Sequence, residues 1–232
     1  MKNRLWEIDF FRGIAIVMMV IFHLLFDLNY FGIYTINVDF GFWKHFARIT
    51  AFLFILLVGV SMTLKYLNNR QFYGYAKRGI EIFLCGMIVT AATYLFIGEG
   101  YVKFGILHMI GVSMIVTYPL VRYRFVNVVL GFIILSLGYY LKTRTFDFNW
   151  LFWLGFLPNE FYSLDYFPLL PWLGVVLFGI ALGNFLYFKN ERRFKLFDFS
   201  RQTKFIGFLG RHSLLIYLLH QPLIVALIYL IK

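Results

Sequence analysis

An all-α, polytopic membrane helix bundle of about seven transmembrane helices is the fold class this sequence predicts, and three observations predict it. Of 232 residues, 61% are hydrophobic and 14% charged, with a mean hydropathy of +0.76, which leaves too little polar surface to coat a water-soluble domain. Apolar runs of about 17 to 25 residues recur along nearly the whole length, the span of a bilayer core at about 1.5 Å per residue. Runs such as Val128–Leu137 are apolar on every face, whereas the strands of a membrane barrel alternate with period two. A soluble enzyme is excluded.

The basic segment Met1–Arg12 leads into an apolar run too long for a signal peptide and without a small-residue cleavage site, so it is expected to remain as the first span. Charged breaks then delimit helices at about Asp9–Leu28, His45–Leu67, Tyr75–Phe96, Phe104–Val121, Phe125–Leu141, Pro168–Phe188 and Phe205–Ile231, the fifth being the shortest. The connection 142–167 carries the apolar piece Trp150–Leu157 followed by Pro158, which reads as an interfacial or re-entrant segment. Gly174, Gly179 and Gly183 read as helix-packing contacts. No internal repeat or soluble module interrupts the chain, and residues 1–232 are expected to form one domain.

Orientation follows from charge. A cytoplasmic N-terminus places 16 of the 22 lysines and arginines on inner segments, among them Lys2, Arg4 and the 189–204 insert, and leaves 6 outside, including Lys232. That split satisfies the positive-inside rule, so the N-terminus is expected inside and the C-terminus outside a multi-pass protein of the cell (cytoplasmic) membrane. The net charge of +11 then belongs to basic loops against anionic lipid, and nucleic acid is discounted as a partner. The single cysteine, Cys85, forbids intrachain disulfides and multi-cysteine metal sites and is expected to be a small buried hydrophobe; no metal is expected.

With orientation set, ionisable residues acquire depth. His23 lies fourteen residues beyond Asp9, about 21 Å along the first helix, and Asp27 lies one turn further on the same face. His45 opens the second helix at the outer boundary with Arg48 at i+3, His108 lies near the outer end of the fourth helix, and His220 lies mid-way along the last. Asp165 lies at a similar depth, while His212 and Arg211 are on the inner side. Intramembrane ionisable groups cost a few kcal/mol each on insertion scales, so such a cluster asks for an explanation. One reading makes each histidine a neutral hydrogen-bonding glue between helices. The other is a polar cavity open to the outside, where histidine acts as general base or acyl carrier.

Four stretches carry a resemblance. They are Trp6–Ala15 running on to His23, Trp43-Lys44-His45 leading into Phe52–Ser61, Phe104–His108, and Gly210–Pro222. In this order they resemble the catalytic domain of heparan-alpha-glucosaminide N-acetyltransferase and its small prokaryotic relatives. Arg12 and His23, with ten residues between them, also match the spacing of the related membrane acyltransferase family 3. The resemblance implies transfer of an acyl group, usually acetyl, from cytosolic acyl-CoA as co-substrate to an amino or hydroxyl group of a sugar or glycan across the membrane. Together with the depth of the ionisable residues, it gives a candidate catalytic group of His45, His23, Asp27 and Arg48. His45 falls where the family places its catalytic histidine, to deprotonate the acceptor or briefly hold the acyl group. His23 would orient the thioester or donate to the tetrahedral oxyanion, and Asp27 would fix a histidine tautomer. The resemblance implies donor contacts at Arg12, Gly13, His108, Arg211 and His220, with Arg12 at a helix N-terminus where phosphates are favoured. Self-association is left open. The alternative is a small proton-coupled transporter using the same polar residues as a relay, which predicts inverted repeats and broken helices; only Pro222 and Gly174 hint at either.

Overall fold

The structure is a computed structural model that describes residues 5–35, 37–38, 40–188, 191–195 and 197–231. Lys2, Arg4, Lys189 and Lys232, which enter the charge count, lie outside the described residues. The described chain is helical, as its composition requires. It runs through α1 (Trp6–Tyr30), α2 (Gly41–Asn68), α3 (Phe72–Ile97), α4 (Ile106–Val116), α5 (Arg124–Leu141), α6 (Leu169–Leu186), α7 (Lys204–Arg211) and α8 (Ser213–Ile231). The described β-structure is a two-residue antiparallel pair, β1 (Tyr187–Phe188) with β2 (Glu191–Arg192), and two isolated bridges.

Six described helices, all but α4 and α7, are long and apolar enough to cross a membrane. Two of the seven expected spans differ in form. The fourth, 104–121, contains the 11-residue α4 and then a 3-10 turn at Tyr118–Leu120, because Pro119 has no N–H to continue the α-helical ladder. The seventh, 205–231, breaks at His212: α7 carries Lys204, Gly207, Gly210 and Arg211 among its apolar residues, whereas α8 is apolar almost throughout. Cys85 is half-buried rather than buried.

The chain divides into two compact units. The first comprises residues 1–57 and 196–232, and so contains α1, the first part of α2, α7 and α8. Here α7 crosses α1 with almost no space between their backbones. A Cβ on Gly13 would strike the carbonyl of Ile206, and one on Gly210 would strike that of Asp9, so only glycine permits the approach. Beyond the break at His212, α8 runs in the same direction as α1: His220 meets His23, Gln221 meets Asp27, and the Tyr229 and Phe31 rings stand 5.5 Å apart.

The second unit comprises residues 58–195. Glycines again set the helix contacts. A Cβ on Gly79 of α3 would stand 2.7 Å from the carbonyl oxygen of Gly111 in α4, and one on Gly174 of α6 would stand 2.8 Å from that of Gly131 in α5. Gly59 of α2 sits against Val176–Ile180, and Thr63 sits against Gly183 with its hydroxyl donating to Ile180 O at 3.1 Å, so α2 and α6 run in the same direction. The packing role expected of Gly174, Gly179 and Gly183 is the one they have. The 142–167 connection forms a 3-10 turn at Phe152–Leu154 within its apolar piece and pins the α3–α4 turn through Leu164 N–H to Gly100 O and Phe167 N–H to Phe104 O, both 2.9 Å.

Candidate functional site

A polar cluster interrupts the apolar face between α1 and α8. His23 is one turn before Asp27 on α1, and His220 and Gln221 are adjacent on α8. The His23 and His220 rings meet edge-to-face with centroids 4.7 Å apart. The Gln221 amide donates to Asp27 Oδ1 at 2.8 Å. Asp27 is 3% exposed and His220 is 8% exposed, so both are withdrawn from solvent by the protein itself. Among the described residues, Asp27 Oδ2, Gln221 Oε1 and His220 Nε2 are buried with no hydrogen-bond partner. Leaving such a group unpaired costs about 1–3 kcal/mol, so three in one place make this the candidate site. Pro222, next on α8, withholds an N–H from the preceding turn at this level.

Backbone contacts fix how the two rings are protonated. His23 Nδ1 is 2.9 Å from Met19 O, and His220 Nδ1 is 2.6 Å from Tyr217 O. A carbonyl oxygen only accepts, so Nδ1 carries the proton in both rings and each neutral imidazole holds its lone pair on Nε2. This alters two expected roles. Asp27 does not set the histidine tautomers, because main-chain carbonyls do and Asp27 binds Gln221. The neutral His23 ring has its N–H spent on Met19 and offers a lone pair, so donating to an oxyanion would require a second proton.

A second cluster lies at the start of α1. The buried Asp9 carboxylate has Arg12 Nη1 3.7 Å from Oδ1 and Arg211 Nη1 4.0 Å from Oδ2. The guanidinium side chains remain 23% and 34% exposed, so one carboxylate orients two cations that still reach outward. Gly13 is buried against Ile206 and contributes packing at this end, with no open face for a ligand.

His45 and Arg48 lie in the first turns of α2, both exposed, one turn apart on one face. His108 is in the other unit, and its environment is complete. Its Nδ1 accepts the Gly105 N–H at 3.2 Å, closing the N-terminus of α4, and its Nε2 is 3.4 Å from Thr90 Oγ1, whose hydroxyl donates to Val102 O at 2.7 Å. Phe83 stands edge-on and Phe104 stacks at 5.1 and 5.4 Å, and a Cβ on Gly86 would lie 3.0 Å from the ring. Asp165 also serves this helix end, accepting the Ile106 N–H at 3.2 Å. These contacts give His108 a structural role and offer no support for the expected donor contact.

The structure therefore brings Arg12 to Arg211 and brings His23, Asp27 and His220 together. Sequence reasoning missed Gln221 and Asp9 as site members, although both lie within the stretches that carry the resemblance. Among the described residues no group of three or more His, Cys, Asp or Glu is placed to hold a metal ion. No curated protein and no solved structure matches the chain. One family model, described as heparan-alpha-glucosaminide N-acetyltransferase, catalytic, matches residues 4–222. With that match over nearly its whole length, on a bundle of membrane-length helices, the chain belongs to the heparan-alpha-glucosaminide N-acetyltransferase catalytic family, a family of membrane acetyltransferases.

Proposed function

We propose that this protein moves an acetyl group from acyl-CoA, bound by its phosphates beside Arg12 and Arg211, to an amino or hydroxyl group of a sugar or glycan received at the His23–Asp27–His220–Gln221 cluster. The observation that carries the reading is that both polar clusters lie along α1. The cationic one is at Asp9 and the acceptor-rich one begins at His23, about 21 Å further along the helix. An anionic head held at one end and a thioester delivered to the other is the arrangement a donor with a long flexible arm requires. His45 and Arg48, exposed at the start of α2, are placed to meet a polar acceptor, and His45 remains the proposed catalytic histidine at the mouth. Both units act as one acyltransferase domain, since the family match spans them.

An odd, seven-crossing topology, with the two termini on opposite sides, has geometric support, while the N-terminus-in orientation rests on charge. Helices that run in the same direction must be separated by an odd number of crossings. α1 and α8 are parallel, as are α2 and α6. Counting α4 with its 3-10 extension as a crossing gives five crossings between the first pair and three between the second; omitting it makes both even. In a Cys85-free background, cysteines at Asn37 and Ser200 should label from opposite sides of the cell membrane with an impermeant thiol reagent. Labelling of both from outside would refute this topology.

The function is tested with purified protein in nanodiscs, radiolabelled acetyl-CoA, and glucosamine, galactosamine and glucose as acceptor probes. Label appearing on a sugar is expected. Protein that binds acetyl-CoA yet labels none of them, and instead carries a solute across liposomes in a proton-dependent way, would overturn the reading in favour of a carrier.

A further inference from the structure

We propose that His220 is the base that takes the proton from the acceptor, and that it acts through Nε2. The inference rests on the acetyl-transfer reading above and divides its labour: His45 meets the acceptor at the mouth, while proton transfer occurs in the α1–α8 cluster.

Three observations lead there. His220 Nδ1 is committed to Tyr217 O at 2.6 Å, which leaves Nε2 as the basic atom. That Nε2 is buried and has no partner among the described residues, so its lone pair is not spent on another protein group. The His23 ring, in the same tautomer, stands edge-on at 4.7 Å, and the Asp27 carboxylate is held next in line through Gln221 at 2.8 Å. The cluster is thus rich in acceptors and contains a carboxylate one group removed from the ring. A histidine retained only to join two helices would be expected to use its second nitrogen, as His108 does.

The step balances without any further reactant. The acceptor heteroatom attacks the thioester carbonyl carbon as its proton passes to His220 Nε2, and the carbonyl π pair moves to oxygen. When that pair returns, the C–S bond breaks and its electrons leave with sulfur. The imidazolium then gives the proton to the thiolate, so the ring ends neutral and the products are the acetylated acceptor and free CoA thiol.

His220→Asn is the discriminating variant, because the asparagine amide keeps a donor where Nδ1 meets Tyr217 O and removes only Nε2. His212→Asn is the control: His212 Nδ1 makes the same kind of bond, to Phe208 O at 2.9 Å, and His212 is exposed at the α7–α8 junction. In nanodiscs, His220→Asn should lower acetyl transfer to the sugar probes by about 10²- to 10⁴-fold while acetyl-CoA affinity and thermal midpoint stay at wild-type values, and His212→Asn should leave transfer unchanged. Nitrogen-15 NMR of the labelled imidazoles, assigned with the same variants, should show an unprotonated Nε2 at His220. Transfer by His220→Asn above about a tenth of the wild-type rate, or a protonated Nε2 in the neutral ring, would overturn the inference while leaving the function standing. Wild-type protein that transfers to no probe would instead refute the acetyl-transfer reading, and this inference with it.

Discussion

His108 and His220 are both single histidines in apolar runs, both are buried, and both bond the backbone through Nδ1, yet their chemistry is opposite. At His108 the backbone partner is the Gly105 N–H, so Nδ1 accepts and the proton resides on Nε2, where Thr90 receives it. At His220 the partner is the Tyr217 carbonyl, so Nδ1 donates and Nε2 keeps a buried lone pair. The first ring closes a helix end and has no capacity left. The second is held by one side and presented by the other. Burial alone therefore does not separate an imidazole with both nitrogens engaged from one with a spare basic nitrogen; the identity of the main-chain partner does.

The largest expected effect lies at the start of α2. If His45 positions the acceptor, His45→Ala should lower acetyl transfer by about 10²-fold with donor binding and thermal stability nearly unchanged, because its side chain is exposed. Retention of more than about a tenth of wild-type turnover would confine the chemistry to the α1–α8 cluster. His108→Ala should behave in the reverse sense. Removing a ring packed between Phe83 and Phe104, and the acceptor for the Gly105 N–H, should destabilise the second unit by roughly 2–4 kcal/mol. It should appear as a lowered thermal midpoint with turnover per folded molecule preserved. Lost turnover at an unchanged midpoint would break the comparison.

Asp27→Asn is a smaller perturbation that sharpens it. The amide can still receive the Gln221 hydrogen bond, but the negative charge beside the histidine pair is gone. If that charge supports an imidazolium during transfer, the rate should fall about tenfold, the scale of one stabilising interaction of roughly 1.4 kcal/mol, while acetyl-CoA affinity is unchanged. A variant with wild-type turnover would restrict Asp27 to joining α1 and α8.

Much of the fold was legible because bilayer thickness is a ruler that the chain has to match. The departures have local causes: Pro119 shortens α4, and the break at His212 sets off a short α7 that crosses α1 at Gly13 and Gly210, a backbone contact that no periodicity encodes. The candidate site was legible as residue types at a shared depth. What sequence does not carry is which groups touch. Asp27 and Gln221 are 194 positions apart, and the tautomers of His23 and His220 depend on carbonyls whose direction only the folded helix defines. His108 and His220 therefore look alike in the sequence and were both assigned to the donor.

The smallest expected effect is at the other end of α1, and it tests whether the two polar clusters are separate devices. Asp9 faces Arg12 and Arg211 at 3.7 and 4.0 Å, distances at which a carboxylate orients both guanidinium groups without being tightly bound by either. Each arginine is only partly exposed, so each retains its aliphatic packing while presenting charge outward. If the CoA phosphates rest on both, Arg12→Ala should weaken acetyl-CoA binding only several-fold in calorimetry, because Arg211 remains in place, and the loss should shrink as salt is raised. The transfer rate at saturating donor should be unaffected, since the reacting groups lie about 21 Å along the helix. Arg211→Ala should give a similar loss, and the double variant a larger one. Wild-type affinity in the double variant would remove the phosphates from this end of the molecule, and a reduced saturating rate in Arg12→Ala would show that donor binding and the histidine pair are coupled through α1.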